Sequence, residues 1–262
     1  MEKAFYSYCH MNDCCLTTPR VRRWLAHSQE ARILNLFTDV CNLVNQQGQV
    51  LSLVTRRIGA GPFTLVLGGR PAWPASAGDR VRIDRRAGRL YAGPLAVDYS
   101  QARSWQPRPE WPRLRRELPG PAAGDLALPP EITRLLQQLL DGICHKNEVE
   151  VRQAVVGLAG RGHGLTPTGD DLLVGILYAL WVWRPGSAWP ALIAGSATPR
   201  TTTLSAAFLE AAAAGEATAP WHRLALGDGR AVSEIRATGH RSGAETWAGF
   251  VAAGARLSHE PC

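Results

Sequence analysis

Gly160-Arg161-Gly162-His163-Gly164-Leu165-Thr166-Pro167-Thr168-Gly169-Asp170-Asp171 runs straight into the apolar stretch Leu172-Leu173-Val174-Gly175-Ile176-Leu177-Tyr178-Ala179-Leu180-Trp181-Val182-Trp183. Glycine, proline and threonine at this density form a tight loop that exposes backbone, and the run after it reads as a buried helix. Such a helix start carries free N–H groups and partial positive charge, so it suits an anion or a polar small molecule. Thr168 and Asp171 have capping-box spacing, which makes Asp171 a helix cap. Successive helix residues point about 100° apart, so Asp170 cannot serve the same cap. It is the spare carboxylate and the better functional candidate.

A second copy lies near the C-terminus. Thr168-Gly169-Asp170-Asp171-Leu172-Leu173-Val174-Gly175 is matched by Ser242-Gly243-Ala244-Glu245-Thr246-Trp247-Ala248-Gly249, and each copy follows a Gly-His pair, Gly162-His163 and Gly239-His240. Gly175 and Gly249 permit close helix approach at a propensity cost of ~1 kcal/mol relative to Ala. The expectation is that the two helices pack with their N-termini near one pocket. Thr198-Pro199-Arg200-Thr201-Thr202-Thr203-Leu204-Ser205 opens a further helix with hydroxyls and an arginine, a reasonable phosphate or carboxylate cradle.

Outward from these motifs the second half is helical. Pro130-Glu131 opens a helix with Ile132, Leu135, Leu136, Leu139 and Leu140 at helical spacing, and others are expected at 147–159, 170–183, 201–214, 230–238 and 244–257. The first half reads as short strands at 33–37, 50–54, 63–67, 81–84 and 95–98, separated by Gly/Pro punctuation such as Gly59-Ala60-Gly61-Pro62. The fold class is α+β: a small antiparallel β barrel or sandwich followed by a mostly α-helical domain. The expected divisions are an irregular arm over 1–31 with a short helix at Pro19–His27, a β-rich domain over 32–103, a proline-rich linker over 104–130, and the helical domain over 131–262.

Composition excludes several classes. The charge is +7, but the only lysines are Lys3 and Lys146, and the arginines are scattered, so nucleic-acid binding is not expected. The longest apolar run has twelve residues, against the roughly 20 of a membrane span. No leader is read at Met1-Glu2-Lys3-Ala4-Phe5, and a cytoplasmic location is expected. Cys9, Cys14, Cys15, Cys41, Cys144 and Cys262 lack the paired spacing of a metal site and read as free thiols. Walker and Rossmann loops are missing. A serine hydrolase is disfavoured, since Ser242 is accounted for as a cap.

Gly164 to Asp171, Thr202-Thr203-Leu204-Ser205 and Gly239-His240-Arg241-Ser242-Gly243 resemble the signature blocks of the AllH family, and Leu51-Ser52-Leu53-Val54 with Gly61-Pro62 resembles its N-terminal block. The likeness spans residues 33–257 and leaves out the cysteine-bearing arm. Arg161, His163 and Arg241 depart from the family pattern, which puts the carbamoyl acceptor in question. The resemblance implies a subunit of an oxamate carbamoyltransferase, acting with other subunits and open to homo-oligomer formation. In that reaction a carbamoyl group passes between a small carboxylate or ureido metabolite and phosphate, with carbamoyl phosphate as a substrate. The expected catalytic residues are Asp170, at the amide nitrogen, and His240, to polarise or shuttle a proton. The expected substrate and phosphate contacts are Gly164, Thr166, Thr168, Gly169, Asp171, Arg200, Thr202, Ser242 and Gly243. No metal ligand set is expected. Mg2+ would enter only in a kinase-like reading built on the Asp170-Asp171 pair, and a further reading is a non-catalytic subunit that binds a phosphate-bearing metabolite or acts as a scaffold.

Overall fold

Alternation of buried and exposed residues builds the first half, which we describe from a computed structural model covering residues 13–71, 73, 76–117 and 126–259. Strand β1 (Cys14–Thr17) leads into helix α1 (Pro19–His27). Then come β2 (Glu30–Phe37), β3 (Val40–Asn45), β4 (Val50–Val54), β5 (Thr64–Leu67), β6 (Arg80–Asp84), β7 (Arg89–Ala92), β8 (Leu95–Asp98) and β9 (Arg103–Ser104). They form one nine-stranded sheet in the order β8-β7-β6-β2-β3-β4-β5-β1-β9. The sheet is mostly antiparallel, as expected from the strand spacing, but β4–β5 and β1–β9 pair in parallel. It curls into a half-barrel, and a bridge from Asp13 to Asp98 ties the β1 side to β8. β6 and β8 alternate buried with more exposed residues, whereas β4 and β5 are buried throughout and have both faces covered.

Residues 14–27, expected as an irregular arm with a short helix, carry both β1 and α1. Thr18 explains the ordering: its hydroxyl donates to the Pro62 carbonyl at 2.6 Å and accepts from the Val21 N–H at 3.1 Å, capping α1. Val21, Trp24 and Leu25 then join the core of the sheet. Lys3, Cys9, His10 and Cys262 lie outside the described residues.

The chain divides into two units, residues 1–107 and 108–262, each with its own core. The second is helical: α2 (Trp111–Glu117), α3 (Pro130–Cys144), α4 (Glu148–Leu158), α5 (Thr168–Trp183), α6 (Trp189–Ala197), a 3-10 turn (Thr198–Arg200), α7 (Thr203–Ala213), α8 (Ala219–Ala225), α9 (Ala231–Arg236) and α10 (Ser242–His259). Apolar on all sides, α5 is buried along nearly its whole length and packs against α2, α4, α6, α7 and α10. Within the proline-rich stretch 104–130, α2 inserts Trp111 and Leu114 into this core. Trp111 stacks on Tyr178, with ring centroids 5.2 Å apart, and donates its Nε1–H to the Gly215 carbonyl at 2.9 Å.

Candidate functional site

Three loops meet at the N-terminal end of α5: residues 159–167 before it, 198–202 before α7, and 237–241 before α10. The first bends through glycines in the left-handed region. At Gly160 (φ 70°) a Cβ would fall 2.5 Å from the Arg200 carbonyl oxygen, so only glycine admits this approach of the second loop. The first two loops are strapped together by Thr202, whose hydroxyl donates to the Leu165 carbonyl at 2.6 Å and accepts from the Ser205 N–H at 3.1 Å.

Asp170 is buried within this strap. One oxygen accepts from the Gly160 N–H at 2.9 Å and the other from the Thr201 hydroxyl, with Ser205 as a further hydroxyl partner. Burial raises its pKa, and those three hydrogen bonds oppose the rise. The expected spare carboxylate thus fastens two loops. Its partners Thr201 and Ser205 lie in the hydroxyl-rich Thr198–Ser205 run, whose pattern alone does not single them out.

The capping box at Thr168 and Asp171 does not form. Pro167 holds the cap position, and its carbonyl takes the Asp170 and Asp171 N–H groups at 2.9 and 3.1 Å. The Gly169 N–H is taken by the Arg161 carbonyl at 2.9 Å. The amides of residues 169–171, read from the sequence as free for an anion, are therefore engaged by the protein.

Thr168 and Asp171 instead reach across to α10. The Thr168 hydroxyl donates to Glu245 at 3.0 Å, and the Ser242 hydroxyl donates to Asp171 at 2.7 Å. A shift of 74 positions converts one pair into the other. The glycines obey the same exchange: a Cβ at Gly175 would lie 2.0 Å from the Thr246 carbonyl oxygen, and one at Gly249 would lie 2.2 Å from that of Leu172. Gly169 and Gly243 likewise press on the Leu158 and Ile235 carbonyls that close α4 and α9. The repeat seen in the sequence is a pseudo-two-fold pair of helices running in the same sense, N-termini together.

The two halves differ in charge. Glu245 is paired with Arg241 at 3.2 Å. Asp171, 5% exposed, has Pro167 at the equivalent position four residues earlier, and its Oδ2 is buried without a hydrogen-bond partner. Burial, with Glu245 and Asp170 nearby, outweighs the Ser242 and Thr166 hydroxyls and pushes its pKa up to about 7. The Thr166 hydroxyl donates to Ser242 Oγ at 3.2 Å. Ser242 is therefore engaged by Thr166 of the first loop and Asp171 of α5, and is the first residue of α10 rather than the helix cap that its sequence context suggests. The Asp170 and Asp171 carboxyls have different partners: Asp170 takes the Gly160 N–H and the Thr201 hydroxyl, and Asp171 takes the Ser242 hydroxyl.

The other expected residues lie on the outside of this cluster. His240 is exposed, with no hydrogen bond or ion pair among the described residues. Exposed Arg200 holds the Ser196 carbonyl at 3.2 Å, and Gly164 (φ 91°) faces open space. Among the described residues no three His, Cys, Asp or Glu side chains cluster as metal ligands would.

Family comparison matches residues 158–254 to a model described as oxamate carbamoyltransferase subunit AllH, and residues 12–104 to the AllH family N-terminal domain. The chain belongs to the AllH family. The AllH match encloses all three loops, and the AllH N-terminal match begins early enough to include Cys14 and Cys15, which the sequence likeness had left outside. No solved structure matches the chain.

Proposed function

We propose that this AllH-family chain is a working subunit of an oxamate carbamoyltransferase-type enzyme, transferring a carbamoyl group between a small carboxylate or ureido metabolite and phosphate, with other subunits as partners. The observation that carries this reading is the meeting of three motif loops at the N-terminal end of α5, around buried Asp170 and Asp171, with exposed Arg200 and Arg241 on those loops. Guanidinium groups there suit the carboxylate of oxamate and the phosphate of carbamoyl phosphate. Exposed His240 is free to donate or take a proton at a substrate nitrogen. In this reading Asp170 and Thr202 act indirectly, holding the loops that carry Gly164, Thr166 and Arg200.

A non-catalytic subunit that binds a phosphate-bearing metabolite is the second reading. It is favoured by the engagement of the amides at 169–171 and of both Asp170 oxygens by the protein itself. Thermal-shift measurements on the purified chain, alone and with partner subunits, against phosphate, carbamoyl phosphate and oxamate test the site. A ligand at a hundredfold excess over its Kd raises stability by about 2.7 kcal/mol. Turnover in the assembled enzyme then separates the two readings: an Arg200→Ala, His240→Ala, Ser242→Ala triple variant that assembles and keeps full activity leaves only the second. If none of these compounds shifts the melting transition in any assembly, both fail.

A further inference from the structure

The pseudo-two-fold pair contains two hydroxyl–carboxylate links, and they are chemically unequal. In the Thr168–Glu245 link, Arg241 balances the carboxylate at 3.2 Å. No such cation stands at the equivalent place beside the Ser242–Asp171 link, and Asp171 Oδ2 is buried without a partner. Ser242 Oγ sits between a donor and an acceptor: Thr166 donates to it at 3.2 Å while it donates to Asp171 at 2.7 Å. It is also the first residue of an eighteen-residue helix, where the helix field favours developing negative charge. A hydroxyl that can lose its proton to a buried carboxylate while a second hydroxyl supports the oxygen has the parts of an activated nucleophile.

We propose that Ser242 is the reactive hydroxyl of this site, that Asp171 is its base, and that the group it accepts is a carbamoyl group. This rests on the carbamoyltransferase reading for its substrate class. The Ser242 Oγ bonds to the carbamoyl carbon as the bond to the leaving amide nitrogen or phosphate oxygen breaks. The Oγ proton passes to Asp171 and from there to the leaving group. Attack on the carbamoyl-serine by the second substrate reverses these steps and restores the Ser242 hydroxyl. The Thr168–Glu245–Arg241 link holds the helices and takes no part in proton transfer. Asp171 carries the base role because its carboxyl lacks a cation, and its raised pKa puts its ionisation near neutrality. The charged groups around it are Asp170 on its own helix and Glu245, itself paired with Arg241, on α10.

Cyanate provides the test, since isocyanic acid adds across an activated O–H to give a carbamoyl ester with no partner protein or oxamate required. With only Lys3 and Lys146 as lysines, competing carbamoylation is readily mapped by peptide mass spectrometry. The expected result is a carbamoyl group on Ser242. Its rate per isocyanic acid should rise as pH increases through about 7 and fall at least about a hundredfold in Asp171→Asn. Labelling of Lys146 without Ser242, or a Ser242 rate that is flat across that pH range, overturns the inference. The pH profile uses the unaltered protein, so it decides even where Asp171→Asn does not fold. Failure of the carbamoyltransferase reading shows separately, as thermal shifts missing with phosphate, carbamoyl phosphate and oxamate.

Discussion

Adjacent carboxylates at 170 and 171 have opposite situations, and each has its own measurable consequence. Asp170 is fully engaged, so Asp170→Ala orphans the Gly160 N–H and frees two hydroxyls. Each buried group left unsatisfied costs roughly 1–3 kcal/mol, and urea unfolding of this variant should show a loss of at least that size. Burial pushes the Asp171 pKa up to about 7 in the folded state, from the ordinary carboxylate value of 3.8. A carboxyl raised on folding contributes stability that is fully present below the unfolded pKa and is lost as pH rises through the folded one. Wild-type stability should therefore fall between about pH 4 and pH 7, and Asp171→Asn should flatten that fall in denaturation series across the window. Cys41 offers a contrast: fully buried, with its thiol pushed up to about 12, it should resist iodoacetamide at pH 8 in the native state and react once unfolded. The sequence distinguishes the two acids, but Asp171 is not the helix cap that its spacing suggests. A hydroxyl three residues before an acid looks the same whether the hydroxyl occupies the cap or the first helical position. Only the placement of Pro167 at the cap, which releases Thr168 and Asp171 toward α10, decides between them.

At the scale of elements, α5 and α10 were legible because periodicity, glycine placement and the repeated motif all agree. Gly175→Ala and Gly249→Ala should each destabilise the fold by about 1–3 kcal/mol through overpacking, outweighing the ~1 kcal/mol gain in helix propensity. The check is a lowered Tm with helical circular dichroism retained. Strand β3 was not legible, because its buried positions on both faces include asparagines. Asn42 donates to Asn35 at 2.6 Å and accepts from Ser52, and Asn45 donates to Ser28 at 2.9 Å. Those internal hydrogen bonds offset the desolvation of the amides, yet they break the apolar alternation that a strand reading needs. Helix α2 was hidden by its prolines, although Trp111 at its start is 4% exposed and enters an aromatic cluster with Tyr178 and Trp221.

At the scale of the whole molecule, each unit has its own core, and the second begins before α2. A fragment of residues 108–262 should unfold cooperatively. One beginning at residue 126 loses Trp111 and Leu114 and should be less stable by at least about 3 kcal/mol, the loss typical of removing a large buried aromatic, as read from chemical denaturation. The family likeness was legible from short motifs because they lie where backbones touch, and glycine is the residue that such contacts demand. Those contacts also determine how this unit can respond to a ligand or a partner subunit. Sliding α10 along α5 by one turn would drive helix backbone into the places kept open by Gly175 and Gly249, and would part both hydroxyl–carboxylate links at once. Shear between these helices is therefore blocked, and any rearrangement that opens or closes the site must be a hinge motion of the 159–167 and 237–241 loops against a rigid helical frame.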